Sequence, residues 1–598
     1  MDLKTFGRLK VKSVPGVEEV FTPPVAFLLE KVFDQFNPEV VRLREKRAAM
    51  WGEIHSAVEK KGIAAISEAI RRLLSDAIRK FTPPQTWKVD IPESMRRPGV
   101  HICNGVWIDN MALNAVNPMP PIPEFALKLP EVSRWKNALT KPARAVGYLD
   151  CDEDAGGNHI ESTVRAAINR KKIAERLMTV QKDERTVGIA DETEHGPLPV
   201  RWHRERGMIL DEPELWFDGK PVPASILGIV LMLYHAGRVE AARGEPIGIY
   251  YPKGEDPEEL KMIHDLIDFI KKEVPELKSA KIKVAILVES LPMIFVMREA
   301  LYALGEYACG LNYARWDLSA SILEGTMTDS NAVWPDRYGV TPWNTPFLTD
   351  IGHHIVAVTD EHGALAMGGM DVQLVDRRDR AVTEIAIRAI AGAKSNEARV
   401  GFPLSWGAHP DLALLIQVIH QAIALDGRAP KRAADYPVRI QVPKGEITVE
   451  GGTARDIRTI LEYLASPRGW FAGFGAVAID NQPDNPDPHT PLMDDLATYR
   501  MSVAAVAQRL RHEVVGADGI EHNLGMISEL FTRERDGAIL RWKIRRDAGQ
   551  ISDAEFANLE KNYHLAARIG LQWVEKYADL DFTPLPAFTR QELISRVG

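Results

Sequence analysis

Five short apolar runs, at residues 143–149, 247–251, 282–288, 354–358 and 365–367, are separated by longer stretches with helical spacing. Strands that end in a polar residue and alternate with helices mark a parallel sheet, and its most economical closure is a (β/α)8 TIM barrel. The functional end of such a barrel is the rim formed by the strand C-termini. The predicted fold class is therefore α/β, and candidate chemistry belongs to residues that close these runs.

A barrel absorbs about 250 residues, fewer than half of the 598 present, so flanking units must account for the rest. Over residues 23–81, apolar Ile63, Ile66, Ile70, Leu73 and Leu74 recur at spacings of three and four until Pro83 and Pro84 stop the pattern. This predicts an N-terminal helical clasp over 1–90. The barrel is assigned to 91–410, with an irregular, proline-rich lead-in over 91–142 carrying Pro118, Pro120, Pro121 and Pro123. A linker or insert over 411–490 combines a β-like stretch at 436–450 with a helix at 453–464. Over 491–598 the pattern is helical again, with Val503, Val506, Ala507 and Leu510 on one stripe, which predicts a C-terminal plug.

Composition excludes several classes. A hydrophobic share of 45% with 26% charged residues rules out wholesale disorder. Lys plus Arg number 74 against 83 Asp plus Glu, without long runs of one sign, which argues against nucleic-acid or membrane partners. The longest apolar run, 226–234, contains Gly228 and falls short of the ~20 residues that span a bilayer. Residues 1–6 lack a secretory signal pattern, and Cys103, Cys151 and Cys309 lie too far apart for a disulfide framework, so a cytoplasmic location is expected. Monomer and homo-oligomer both remain open.

Two acids stand out by position. Glu289 closes the run 282–288, and Asp317 follows Gly310-Leu311-Asn312-Tyr313-Ala314-Arg315-Trp316. One helical stretch, 293–305, separates them, so they belong to adjacent strands and share one barrel mouth. Two carboxylates there suit Mg2+, which takes oxygen ligands; helix caps or ion pairs with arginine are the plainer alternatives. A further acidic stretch, Asp150-Cys151-Asp152-Glu153-Asp154, ends another strand and either surrounds metal-bound water or is a solvated loop. In His203-Arg204-Glu205-Arg206-Gly207, an arginine beside a metal could bind a small carboxylate and stabilise an oxyanion. The glycines of Gly473-Phe474-Gly475-Ala476-Val477-Ala478 precede their apolar run, which rejects a dinucleotide loop. His353-His354 has no partner at zinc spacing and reads as packing beside a strand.

These strings resemble the malate synthase family. Val288-Glu289-Ser290 and the segment ending at Asp317 are similar to its metal-binding signature. Ala366-Met367-Gly368-Gly369-Met370, Trp406-Gly407-Ala408-His409-Pro410, Pro443-Lys444-Gly445-Glu446-Ile447-Thr448 and Met493-Asp494-Asp495-Leu496-Ala497-Thr498 follow in the family's order, so the likeness covers about 143–511. It implies Mg2+ as cofactor, with Glu289 and Asp317 as ligands. It also implies acetyl-CoA and glyoxylate as substrates, and a Claisen condensation followed by hydrolysis of malyl-CoA to malate and CoA. The family's general base falls on Asp495, and its carbonyl-polarising arginine, three positions before a glycine, falls on Arg204 rather than Arg206. Ala314, Arg315, Trp316 and Trp406 fall on the substrate pocket, Lys253 on a strand-end lysine that offsets the acids, and Pro410 on the CoA side. The chain departs from the pattern at Tyr307, where His is usual, at Ala314, where Gly is usual, and at Tyr499-Arg500, where a small residue and Glu are usual. Two other readings are a malyl-CoA or 3-hydroxyacyl-CoA lyase on the same barrel and a non-catalytic relative.

Overall fold

The computed structural model describes residues 2–151, 160–473, 475, 477–479 and 492–597. Eight parallel strands close into a barrel in chain order: β1 (Gly99–Asn104), β2 (Gly147–Cys151), β3 (Val200–Arg204), β4 (Ile247–Tyr251), β5 (Ile282–Val288), β6 (Ala308–Tyr313), β7 (Leu365–Asp371) and β8 (Leu404–Gly407). β8 pairs with β1, in register Leu404 with Gly99, which completes the ring. Large aromatics fill the interior, and small residues on neighbouring strands make room for them. A Cβ on Gly147 would lie 2.3 Å from the His101 ring, and one on Gly248 would lie 2.4 Å from Trp202. His101, Trp202, Tyr250 and Trp406 pack there ring against ring, stacked, tilted and edge-to-face in turn, with centroid separations of 4.9–5.4 Å along the chain of contacts.

The structure revises several sequence expectations. Residues 354–358 form no strand; they lie in helix Pro346–His362, which starts with Pro at its first turn and ends at Gly363 with φ 66°. Those two residues are start and stop signals for a helix, and they override the short apolar run. His353 accordingly stacks on Tyr436 at 4.7 Å, and His354 Nδ1 meets the Tyr436 carbonyl at 2.8 Å, so the pair is helix packing rather than strand packing. The stretch 436–450 contains no strand. It runs extended and is tied down singly, with Ala517 N–H donating to the Ile447 carbonyl at 2.8 Å and Thr448 Oγ1 donating to Asp336 at 2.6 Å. The proline-rich lead-in hides β1, and helix Pro410–Leu425 packs on β1 and β8 as the last barrel helix, so the barrel extends past 410.

Around the barrel, helix Pro23–Lys61 forms the clasp. Strands Leu3–Phe6 and Leu9–Lys12 join Asp211–Phe217 and Lys220–Pro223 in an antiparallel sheet that fastens the N-terminus to the segment after β3. The C-terminal helices Leu496–Arg511, Leu524–Asp547 and Asp553–Ala578 pack with Ala454–Ala465 as the plug. The apolar run 226–234 continues through a π-turn into a helical stretch, Ala224–Ala242, that by length and composition could cross a membrane. Most of it is buried within the protein as the helix after β3.

Candidate active site

The C-terminal ends of β3 to β6 bring four charged side chains together. β3 delivers Arg204, the turn after β4 delivers Lys253, β5 is followed by Glu289, and helix Arg315–Gly325 after β6 carries Asp317 in its first turn; all four are buried. Lys253 Nζ lies 2.7 Å from Asp317 Oδ1 and 3.3 Å from Glu289 Oε2, so both carboxylates reach one point. Burial pushes the Asp317 carboxyl up, but the charges of Lys253 and Arg500 prevail and hold it at about 2. Two hard oxygen donors converging on one cation position in a buried mouth match the donor chemistry of Mg2+. Among the described residues, three potential ligands also approach one another at His264, Asp265 and Asp268. That group is less buried, on helix Pro257–Glu273, and its acids already meet Lys261 and Tyr307.

Asp495 enters from the plug. It caps helix Leu496–Arg511, with Oδ1 accepting from Ala497 N–H at 3.0 Å and Thr498 N–H at 3.1 Å. A cap fixes a carboxylate through one oxygen and locks its direction. Burial and the nearby charge of Asp317 raise its pKa above the ordinary aspartate range, opposed by its cap hydrogen bonds, Arg204 and Lys253. Its neighbour Asp494 faces Arg337 instead, at 3.9 Å. Asp495 also lines a cavity of about 330 Å³ bounded by Cys103, Trp107, Met111, Met370 and Met493. A second cavity, of about 730 Å³, lies between clasp, barrel and plug on the side of Glu324 and Arg500.

Arg204 lies 5.8 Å from the Trp406 ring, and Trp406 Nε1 donates to Tyr250 Oη at 3.2 Å, so Trp406 walls the mouth beside the arginine. Arg206 is tied up with Glu212 at 2.8 Å and Glu205 at 3.3 Å. Arg315 turns away from Asp317 toward the Met370 carbonyl, at 2.9 Å, and Trp316 lies under its guanidinium at 5.3 Å. Ala314 has φ −83°, so its methyl needs no special backbone. Tyr307 sits at the start of β6, the end of the barrel remote from the mouth, and donates to Asp268. Its departure from the family pattern therefore does not touch the pocket.

Asp150 is held by basic neighbours at the end of β2. Arg170 Nε donates to it at 2.7 Å and His203 Nδ1 lies at 2.7 Å, while His203 Nε2 meets Glu205 at 3.1 Å. Against burial and the charge of Arg170, the two carboxylates raise His203 to about 9 and hold it as an imidazolium. The acid that ends β2 is thus consumed in an ion network beneath Arg204; Asp152, Glu153 and Asp154 lie outside the described residues. Arg500 is the contact that the sequence marks only as a departure. Its guanidinium reaches Glu324 at 2.7 Å and Asp317 at 3.4 Å, joining plug to barrel at the mouth. The clasp contributes Arg47, which donates to the Lys253 carbonyl at 2.6 Å. No local motif signals that contact, because 206 residues separate its partners.

Two family models match the chain: malate synthase, TIM barrel domain, over residues 201–436, and malate synthase, C-terminal, over 446–573, together more than half of it. The malate synthase of Myxococcus xanthus (strain DK1622) is 28% identical over 420 residues, covering 68% of this chain and 73% of that protein. The bifunctional glyoxylate cycle protein of Caenorhabditis elegans is 25% identical over 541 residues, 89% of this chain and 50% of that protein, so the chain spans half of that relative's length. A solved Haloferax volcanii malate synthase magnesium/glyoxylate complex aligns at a TM-score of 0.37 and 11% identity over 78% of this chain and 98% of that one, a likeness too distant to bear on the site.

Proposed function

The chain belongs to the malate synthase family, and from that premise we propose that it condenses acetyl-CoA with glyoxylate and hydrolyses the resulting malyl-CoA to malate and CoA, a step of the glyoxylate cycle. The observation that carries this reading is the meeting of Asp495, Arg204, Glu289 and Asp317 in one buried mouth, with residues from barrel and plug. Glu289 and Asp317 would hold Mg2+, which when bound supplies Lewis-acid charge to the glyoxylate oxygens.

Asp495 takes a methyl proton from the thioester, and its raised pKa makes it a stronger base than an exposed aspartate. The enolate carbon then bonds to the aldehyde carbon, and the aldehyde oxygen takes up the negative charge. Arg204 stays protonated throughout and donates hydrogen bonds to that oxygen where charge builds. Trp406 limits the space beside Arg204 to a small 2-oxo acid. The cavity of about 330 Å³ suits an approaching pantetheine arm because Asp495 lines it together with largely apolar side chains. Pro410 follows His409 of that lining and belongs to the CoA side in this reading.

The test is release of free thiol from acetyl-CoA on addition of glyoxylate and Mg2+, with malate as the second product. A lyase on the same barrel would instead convert malyl-CoA into glyoxylate and acetyl-CoA without freeing thiol. Absence of thiol release under these conditions overturns the reading.

A further inference from the structure

Lys253 has a φ of 54°, in the left-handed region that residues other than glycine mostly avoid. Three contacts hold it there. Its N–H donates to Glu289 Oε1, its carbonyl accepts from Arg47 Nη1 at 2.6 Å, and its stem packs over Gly207, where a Cβ would come within 3.0 Å of Lys253 Cγ. A position with this backbone favours glycine, so the presence of a lysine there points to its side chain. Backbone strain held by surrounding contacts is a common mark of a functional position. That side chain ends with Nζ between Asp317 Oδ1 and Glu289 Oε2, at 2.7 and 3.3 Å.

Any divalent cation bound by those two carboxylates needs the oxygens that the ammonium now contacts. Two buried carboxylates aimed at one point repel each other, and one positive charge between them relieves that repulsion. We propose that Lys253 is a tethered cation that keeps Glu289 and Asp317 converged and competes with Mg2+ for them, so that it sets the affinity of the site for metal; this rests on the metal-dependent reading given above. Lys253 is a positioning residue in this role. Removing it leaves the pair with one more unit of uncompensated negative charge, which favours the divalent ion, because charge count tunes affinity in oxygen-ligand sites.

The experiment is calorimetric Mg2+ titration of the full-length protein, wild type beside Lys253→Met and Lys253→Gly, with thermal melting of each before and after Mg2+ addition. Both variants are expected to bind Mg2+ about tenfold more tightly or better, and Mg2+ should raise their melting temperatures by more than it raises that of the wild type. Lys253→Gly removes the charge while suiting the left-handed backbone, so it guards against a Lys253→Met variant that fails to fold. Unchanged or weaker binding in a folded variant, with normal wild-type binding, overturns the competition alone. A wild-type protein that takes up no Mg2+ overturns the metal-dependent reading and the competition with it.

Discussion

Two adjacent aspartates show how far position decides chemistry. Burial pushes Asp494 up to about 6, yet it faces Arg337 and the plug interior, whereas Asp495 caps a helix at the mouth and looks toward Asp317, Arg204 and Lys253. Asparagine also caps helices well, so Asp495→Asn should fold normally. Turnover is expected to fall by about 10²–10⁴-fold, with glyoxylate binding retained, as checked by steady-state thiol release and calorimetry. As the proposed base Asp495 would work deprotonated, and its pKa lies above the usual aspartate value, so kcat/KM should fall on acidification through a limb above about pH 4. A pH–rate profile whose acid limb lies at or below that value would contradict Asp495 as the base. At this scale the sequence revealed residues that end strands, but not His101, Trp202 and Tyr250 beneath them. In a strand buried on both faces, alternation no longer distinguishes interior from exterior.

The helix that begins after Asp495 packs along the helix that carries Asp317, and one charged side chain ties the two together at the mouth. Arg500 meets Glu324 at 2.7 Å across them, and Glu324 is buried. Arg500→Met leaves that carboxylate buried without its partner, a loss of about 3 kcal/mol, and should lower the melting temperature and turnover together. The double variant with Glu324→Gln should be less destabilised than the sum of the two single changes, because the pair acts as a unit; denaturant titration of all three measures this. Elements were legible where their boundaries were chemical. Helices such as 453–464 follow an amphipathic stripe, whereas the β-branched run 354–358 has the local look of a strand and is helical because Pro346 and Gly363 bound it. The stretch 436–450 is the reverse case: it is extended, but no strand lies alongside to pair with it.

Over the whole molecule, buried ion networks brace the barrel from outside. Burial raises the Glu397 carboxyl, but Lys394, His420 and Arg315 outweigh it and bring it down to about 2, with Ser405 Oγ donating at 2.5 Å. A folded pKa below the ordinary 4.5 means that this group stabilises the fold above pH 4.5 and that the contribution is lost as pH falls toward 2. Glu397→Gln should therefore be less stable than the wild type at neutral pH, with the gap narrowing through that window; denaturation curves at stepped pH values check it. Barrel, clasp and plug were legible as units, since length and periodicity constrain them, while the contacts between them were not, since they pair residues far apart in the chain. The hydrogen bond from Arg47 to the Lys253 carbonyl and the grip of Arg500 on Asp317 carry a consequence for synthesis. A nascent chain emerging from the ribosome can complete its barrel and clasp before the segment that follows Asp494 has been made. Its mouth then lacks Asp495 and the clamp of Arg500 on Asp317, so the constellation proposed for catalysis closes only after the barrel has folded.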